Sequence, residues 1–489
     1  MPFTLIAFLL YLLAILVVGL AMYRRNKTHE DFILGGRSMN PWVVAFSERA
    51  SGESAWLLVG LPGLGYAAGY IGMWDAIGCV LGIVLYWIVI AEKLRTQSEE
   101  SGSITLPDFF ASKFDTLQKP IRLTATFIII FFFTFYLAAQ FNGAGKVLNV
   151  TFGIPNLYGI LIGAIVIVFY TMMGGYLAVA WTDLIQGIIM IGALVILPLV
   201  GFLEIMEQHT SLHGALKAAG GEYTHITGGQ TGWSAFAVIV SGLSWGLGYM
   251  GQPHLLTRFM SIDNVANIRI SRRIAYIWAV PGFFGALMIG LVGLVYYGQG
   301  AFDDVESVMP QLANDLLPTW LAGIFISGAI AAMMSTADSQ LLVITSSVIE
   351  DIYHKTLGNS TVSEKKLLRL SRIITIAVGA VAFFISISSQ ELVFALVSYA
   401  WAGLGSSFGP TLLLLLWWKK TTASGVLAGM VAGTLTTIVW SGMVNWDAML
   451  SARLMAWLVA LLVVVLVSLW EKNYERVGTK FKNKFQYKM

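Results

Sequence analysis

The sequence predicts an all-α polytopic membrane protein, and three observations carry that prediction. The 489 residues are 57% hydrophobic and 12% charged, with a mean hydropathy of +0.75, where soluble chains carry roughly a quarter charged residues. About thirteen apolar runs, most near the roughly 20 residues that a helix needs to cross a bilayer, follow one another between polar stops. With the amino terminus outside and the runs crossing alternately, 26 of the 30 Lys and Arg residues fall on the inner side. This composition excludes a soluble enzyme, a disordered scaffold and a nucleic-acid binder. Cys79 is the single cysteine and has no intramolecular disulfide partner.

The first run, 4–23, ends in Arg24-Arg25-Asn26-Lys27 without a small-residue cleavage site, so it reads as a retained helix and not a signal peptide. The second, 40–67, carries Ser47-Glu48-Arg49-Ala50-Ser51-Gly52-Glu53-Ser54-Ala55-Trp56 at its middle. One charge near the bilayer centre costs about 2.5–3.5 kcal/mol. Three charges and a glycine therefore predict a helix that breaks here, lining a cavity in which freed backbone groups hold an ion or solute. The plainer alternative is a Glu48–Arg49 or Glu53–Arg49 ion pair that staples helices together. Runs at 70–94, 121–148 and 156–176 follow. The run 180–205 opens on Trp181-Thr182-Asp183, a deep carboxylate that is either functional or an interfacial cap or partner of an inner-loop arginine.

The run 233–258 contains Ser244-Trp245-Gly246-Leu247-Gly248-Tyr249-Met250-Gly251-Gln252-Pro253-His254. Three glycines and a proline predict a second break. Trp245 and Tyr249, four apart, share a face and offer an aromatic wall to an apolar or cationic solute, simple packing being the alternative. Arg258 at its end is counted with the inner charges, together with those before the next run, 272–298. The run 318–350 carries Ala332-Met333-Met334-Ser335-Thr336-Ala337-Asp338-Ser339. Positions 332, 335, 336 and 339 share one helical face. Hydroxyls beside a carboxylate are hard oxygen ligands, suited to an alkali cation and unsuited to zinc or iron; alternatively they bond back to their own helix or a neighbour. Runs at 370–389, 391–417, 422–445 and 450–471 and a basic tail, 472–489, complete the chain.

The two breaks, in spans two and seven, are five spans apart, which predicts an inverted repeat of spans two to six and seven to eleven with solute at the midplane. Paired breaks disfavour a passive channel. There is no nucleophile elbow or HExxH, and His209 and His213 fall in a predicted outer loop, so an enzyme is not expected. A membrane sensor is a rival reading, but the tail after 471 holds no candidate catalytic or phosphoacceptor domain.

Six motifs in order carry a resemblance. The runs Phe32–Ser38, Trp56–Gly63, Gly174–Asp183, Gly246–His254, Met334–Thr336 and Ser398–Gly403 resemble the sodium/solute symporter family, in particular its sodium/proline symporters, over nearly the whole chain. The resemblance implies a LeuT-type 5+5 inverted repeat with one extra helix in front and two behind: 4–39 the extra helix and inner loop, 40–205 and 233–417 the repeats, 422–471 the extra helices. It implies a sodium site from the carbonyls of Ala50, Glu53 and Ala332 and the hydroxyls of Ser335 and Thr336. A second cation site would fall on Asp183, Ser335, Asp338 and Ser339. The solute pocket would fall on Ser54, Tyr136, Trp245, Tyr249, Gln252 and Pro253. Glu48 and Arg49 are gating or coupling candidates. One departure stands out: proline symporters carry an Asp where this chain has Gly52, and Glu48, Arg49, Glu53 and Asp338 also depart from their pattern. A different amino acid, an organic acid or proton coupling is therefore the alternative to sodium-driven proline uptake. The expected partners are sodium, a small solute and the bilayer, in a plasma or inner membrane with the carboxyl terminus cytoplasmic. No cofactor, other metal, nucleic acid or obligate protein partner is expected.

Overall fold

The structure is a computed structural model that describes residues 2–23, 29–208, 211–358, 363–389 and 391–486; the cluster Arg24-Arg25-Asn26-Lys27, His209 and the end of the basic tail lie outside these. The described residues are helical, and their one isolated β-bridge pairs Met39 with Ile262. Among the described residues, ten helical stretches are long and apolar enough to cross a membrane, and two shorter apolar helices, Phe3–Gly19 and Asn156–Phe169, accompany them. Large apolar side chains such as Leu10, Phe127, Phe384 and Leu466 stand exposed on the outside of the bundle. In water such a surface would be an aggregation face; in lipid it is the solvated one.

Helix α1 (Pro2–Tyr23) lies against later helices, and α2 (Pro41–Ala55) begins the central bundle. Asn40 caps α2 by accepting from the Trp42 and Val43 amides, with Pro41 at the first helical position, where its missing N–H costs nothing. The break expected in the run 47–56 falls at Ser54, at φ 44° and ψ −167°. A wider turn at Trp56–Gly60 and α3 (Leu61–Ala68) continue the span. Next come α4 (Met73–Val89), α5 (Gln118–Phe152) and α6 (Asn156–Gln208). The runs 156–176 and 180–205 are joined in α6 across Gly175, whose φ of 57° only glycine adopts at no steric cost.

The second break follows α7 (Gly232–Leu243) and a short helical turn, Trp245–Gly248: the chain winds tightly through Tyr249–Gly251, extends at Gln252 and resumes as α8 (Pro253–Ser261). Gly246 packs directly on the backbone of α4: a side chain on Gly82 would collide with Gly246, and one on Gly246 with the Gly78 carbonyl; small residues bring helices this close in membranes. Helices α9 (Ile268–Tyr297), α10 (Val308–Leu316), α11 (Thr319–Ser346), α12 (Glu364–Ser388), α13 (Val393–Trp417), α14 (Ala423–Gly442) and α15 (Ala452–Gln486) follow. Helix α11 packs on α2, α5 and α6, whereas α14 and α15 pair with each other and with α13 at the side. Burial agrees: 83% of the most apolar stretch of Thr319–Thr356 is buried, against 28% for Arg369–Ser388, so α11 is central and α12 faces lipid.

Charged side chains tie both ends of the bundle. At one end Arg37 donates to the carbonyls of Met260 (2.9 Å) and Ser103 (2.7 Å), and Arg95 to that of Ile262 (2.6 Å). At the other, Glu306 accepts from the Val393 and Phe394 amides (2.9 and 2.8 Å) and pairs with Lys146 of α5 (2.5 Å). Glu306 thus caps α13 from a distant loop and complements its dipole. Loss of an N-cap costs about 0.5–2 kcal/mol. Glu306→Ala is expected to lower the thermal midpoint of the full-length protein in detergent, with Glu306→Gln, which keeps one acceptor oxygen, recovering part of the loss. An unchanged midpoint in Glu306→Ala would show that the cap carries no stability.

Candidate functional site

The breaks and the hydroxyl face of α11 meet at the centre of the bundle. Ser335 Oγ donates to the carbonyls of Ala50 (2.9 Å) and Ala332 (3.0 Å), and Thr336 Oγ1 to that of Ser51 (2.9 Å). All these residues are fully buried. The irregular chain at Ser54 interrupts the intrahelical bonding of α2, and α11 brings its hydroxyls to carbonyls just before that break. The carbonyl of Glu53, also expected here, accepts the Trp56 amide. Ser51, not singled out by its sequence context, contributes the carbonyl that Thr336 meets.

Beside this point lies a second polar cluster. Asp183 Oδ2 accepts from Ser47 (2.6 Å), Ser51 (3.0 Å) and Arg258 Nη2 (3.1 Å). Arg258 also donates to Ser51 (2.9 Å), Ser47 (3.1 Å), Ser339 (2.5 Å) and the His254 carbonyl (2.8 Å). Ser339 donates to Asp338 Oδ1 at 3.2 Å. The placing of Arg258 among inner-side charges is thereby corrected: it is fully buried, because α8 continues from the second break into the bundle and its guanidinium finds a carboxylate and three hydroxyls there. Asp183 thus forms a salt bridge with Arg258. Asp183 Oδ1 and Asp338 Oδ2 are buried and accept no hydrogen bond among the described residues. Ser335 points to α2 and not to this cluster.

On the other side of the Ser54 break is an aromatic chamber. Tyr136 donates to Ser54 Oγ (3.2 Å), and Gln140, one turn on in α5, accepts the Ala55 amide freed by the break (3.0 Å). Trp245 stacks on Trp56, centroids 4.5 Å apart and planes within 10°. Tyr249 and Trp245 both contact Trp401, at 4.8 and 6.1 Å, and Trp401 Nε1 donates to the Trp245 carbonyl. Gln252 donates to the carbonyls of Gly248 and Trp401 (both 3.3 Å), its Oε1 has no partner among the described residues, and Pro253 opens α8. Arg453, near the start of the run 450–471, lies 4.4 Å over the Trp245 ring. Trp56, Trp401 and Gln140 are site neighbours that their apolar surroundings in the sequence conceal.

Between chamber and break, Arg49 pairs with both Glu48 and Glu53, the latter at 2.5 Å. Trp87 donates to Glu48 (3.3 Å), and Tyr249 to Glu53 Oε2 (3.2 Å). Arg49 therefore sits in an ion-pair network, not free in the cavity. The volume beside Gly52 is taken by Leu255, 3.3 Å from where a Cβ would lie. A neutral hydrogen bond contributes about 0.5–1.5 kcal/mol. Tyr136→Phe is accordingly expected to raise the solute concentration for half-maximal uptake about two- to tenfold with little change in maximal rate, read by labelled-solute uptake; an unaltered value would take Tyr136 out of the chamber's function.

A lipid-facing bundle of helices, two of them broken beside one another and faced by a hydroxyl-bearing third, is the architecture of a membrane transporter. The pattern of the Sodium:solute symporter family matches residues 32–433. The chain is 40% identical over 429 residues to the high-affinity proline transporter PutP of Bacillus subtilis (strain 168), covering 87% of this chain and 89% of that one. It is 37% identical over 443 residues to the sodium/proline symporter of Escherichia coli (strain K12), covering 89% and 87%. A solved Na+-coupled sialic acid symporter shares the fold, with a TM-score of 0.77 at 19% identity over 95% of this chain and 97% of that one. This chain belongs to the sodium:solute symporter family.

Proposed function

We propose that the protein is a secondary active symporter that couples inward sodium flow to uptake of proline or a closely related amino acid. The observation that carries the proposal is the convergence of Ser335 and Thr336 on the carbonyls of Ala50 and Ser51 beside an aromatic chamber, in a chain 34–40% identical to proline transporters. In this reading sodium takes oxygens from Ala50, Glu53, Ala332, Ser335 and Thr336, the two hydroxyls turning from the carbonyls to the ion. Asp183, Asp338 and Ser339, joined by Ser335 on turning away from α2, form a second cation site. Its support is two unpartnered carboxylate oxygens, Asp183 Oδ1 and Asp338 Oδ2. Solute lies among Ser54, Tyr136, Trp245, Tyr249, Gln252 and Pro253, and the Glu48–Arg49–Glu53 network couples the break to the chamber through Tyr249.

The same reading takes the chain as one transporter domain of thirteen spans, an inverted repeat of 40–205 and 233–417 flanked by helices at 4–39 and 422–471, with a cytoplasmic tail at 472–489. The concentration of Lys and Arg on one side supports an outside amino terminus in a plasma or inner membrane. Sodium bridging α2 to α11 stabilises the outward-open form, solute binding follows, and the doubly loaded protein shifts toward inward opening. One charge crossing 100 mV supplies about 2.3 kcal/mol, roughly fiftyfold accumulation per ion.

A second reading keeps the fold and changes the cargo or the coupling ion. The buried Glu53 carboxylate bonded to Tyr249, and the Gly52 space closed by Leu255, favour it. Labelled-proline uptake into proteoliposomes under a sodium gradient, with proton, potassium and no-gradient controls and a panel of amino and organic acids as competitors, separates the two. Sodium-driven uptake inhibited by proline alone supports the first reading. Absent proline uptake, with another competitor or a proton gradient active, replaces it by the second.

A further inference from the structure

At the end of the bundle capped by Glu306, a cleft of about 450 Å³ opens between the end of α5, the start of α6, the end of α12 and the loop before α10. Its floor includes Asn142 and Ser386, 4% and 1% exposed. Neither Asn142 Oδ1 nor Ser386 Oγ has a hydrogen-bond partner among the described residues, although leaving a buried polar group unpaired costs about 1–3 kcal/mol. The rim carries Asp303, Asp304 and Glu391. The only lining cation among the described residues, Lys146, is already engaged by Asp304 (2.8 Å) and by Glu306 behind it (2.5 Å). Asp303 and Glu391 have no partner for their carboxylates among the described residues, so the cleft keeps a net negative charge over a floor of vacant oxygen acceptors.

These features select a ligand. Carboxylate, amide and hydroxyl oxygens without sulfur or imidazole suit a hard cation or an ammonium group. The volume is that of a small-molecule pocket, much larger than a bare ion, so the occupant is a hydrated alkali cation or an ammonium carried on an organic solute. We propose that this cleft is a peripheral cation-binding site, separate from the bundle centre, that takes either the coupling ion or the ammonium of the transported solute. Its position beside the Glu306 cap puts a bound cation next to the carboxylate that holds the first turn of α13. The geometry of the cleft stands without the central assignment; only its role in transport rests on the function proposed above.

The test uses the full-length protein in detergent, with Ser335→Ala/Thr336→Ala removing the hydroxyls of the central sodium site; the Asp183 cluster and the solute chamber remain, so the cleft is read from the change that its own substitutions make. Binding of radioactive sodium and of labelled proline is measured separately, so that the two sources of a cationic group are distinguished. Residual saturable binding of either probe is expected in that background, and its affinity should fall at least fivefold on adding Asp303→Asn/Glu391→Gln. Asn142→Ala/Ser386→Ala, which leaves the charge unchanged, should weaken the same residual binding and so exclude a diffuse surface-charge effect. Absence of residual binding for both probes overturns the cleft, as does residual binding that ignores the floor substitutions. If Ser335→Ala/Thr336→Ala instead binds sodium like the unmodified protein, the central assignment fails; the cleft is then judged by the floor pair alone, where a fivefold loss supports it and none overturns it.

Discussion

Replacing Ser335 or Thr336 by Ala is expected to raise the sodium concentration for half-maximal uptake about ten- to a hundredfold, and replacing both to abolish sodium dependence. Each hydroxyl is buried and reaches across 285 residues of sequence to a carbonyl just before the α2 break. An interaction with a charged group contributes about 1.5–3 kcal/mol, and about 1.4 kcal/mol is a tenfold change in affinity. Ser335→Thr and Thr336→Ser keep an oxygen at each position and should lie closer to the unmodified protein. Uptake of labelled solute against a sodium series reads all of these variants; ordinary sodium dependence in both alanine forms would remove the site from α11.

The other large effect belongs to Arg49. It is the shared partner of Glu48 and Glu53, all three fully buried, and removing one member of such a set leaves uncompensated charge in a medium that cannot solvate it. Breaking a buried pair costs about 3–5 kcal/mol, so Arg49→Met should fail to accumulate as folded protein. The triple substitution Glu48→Gln, Arg49→Met, Glu53→Gln removes charge and counter-charge together and should restore a monodisperse, heat-resistant protein. Its transport then separates two roles: return of uptake makes the network a structural staple, and a stable but inactive protein makes it part of coupling. Arg49→Met at ordinary stability would contradict the ion-pair geometry itself.

The features most legible in the sequence were those where polarity interrupts apolar periodicity. Three charges and a glycine inside one run announced the break at Ser54, and three glycines and a proline inside another announced the one at Gln252. The face shared by Ala332, Ser335 and Thr336 follows from 3.6 residues per turn alone. What stayed hidden depends on distant partners. Arg258 stands near the end of an apolar run and reads as an interfacial charge; only the packing of α8 against α2 and α6 shows that its guanidinium meets Asp183. Ser51 is one serine among several, and which carbonyl meets Thr336 is set by a contact between remote helices. Trp56 and Trp401 look like any membrane aromatics until Trp245 is placed between them. Glu306 reads as a loop acid, since a cap supplied to a helix 87 residues later leaves no local signature.

The backbone at Ser54 bears on how this protein could be improved or spoiled by engineering. Its combination of φ 44° and ψ −167° lies close to a region that is essentially reserved for glycine and stores on the order of 1–3 kcal/mol in any other residue. A glycine there would relax the chain, yet it would discard the hydroxyl that Tyr136 and the Trp56 amide use. Ser54→Gly should therefore give a hardier protein and a poorer carrier, a trade-off of stability against activity concentrated in one side chain, and a screen for thermostability alone would select against the hydroxyl proposed to face the solute.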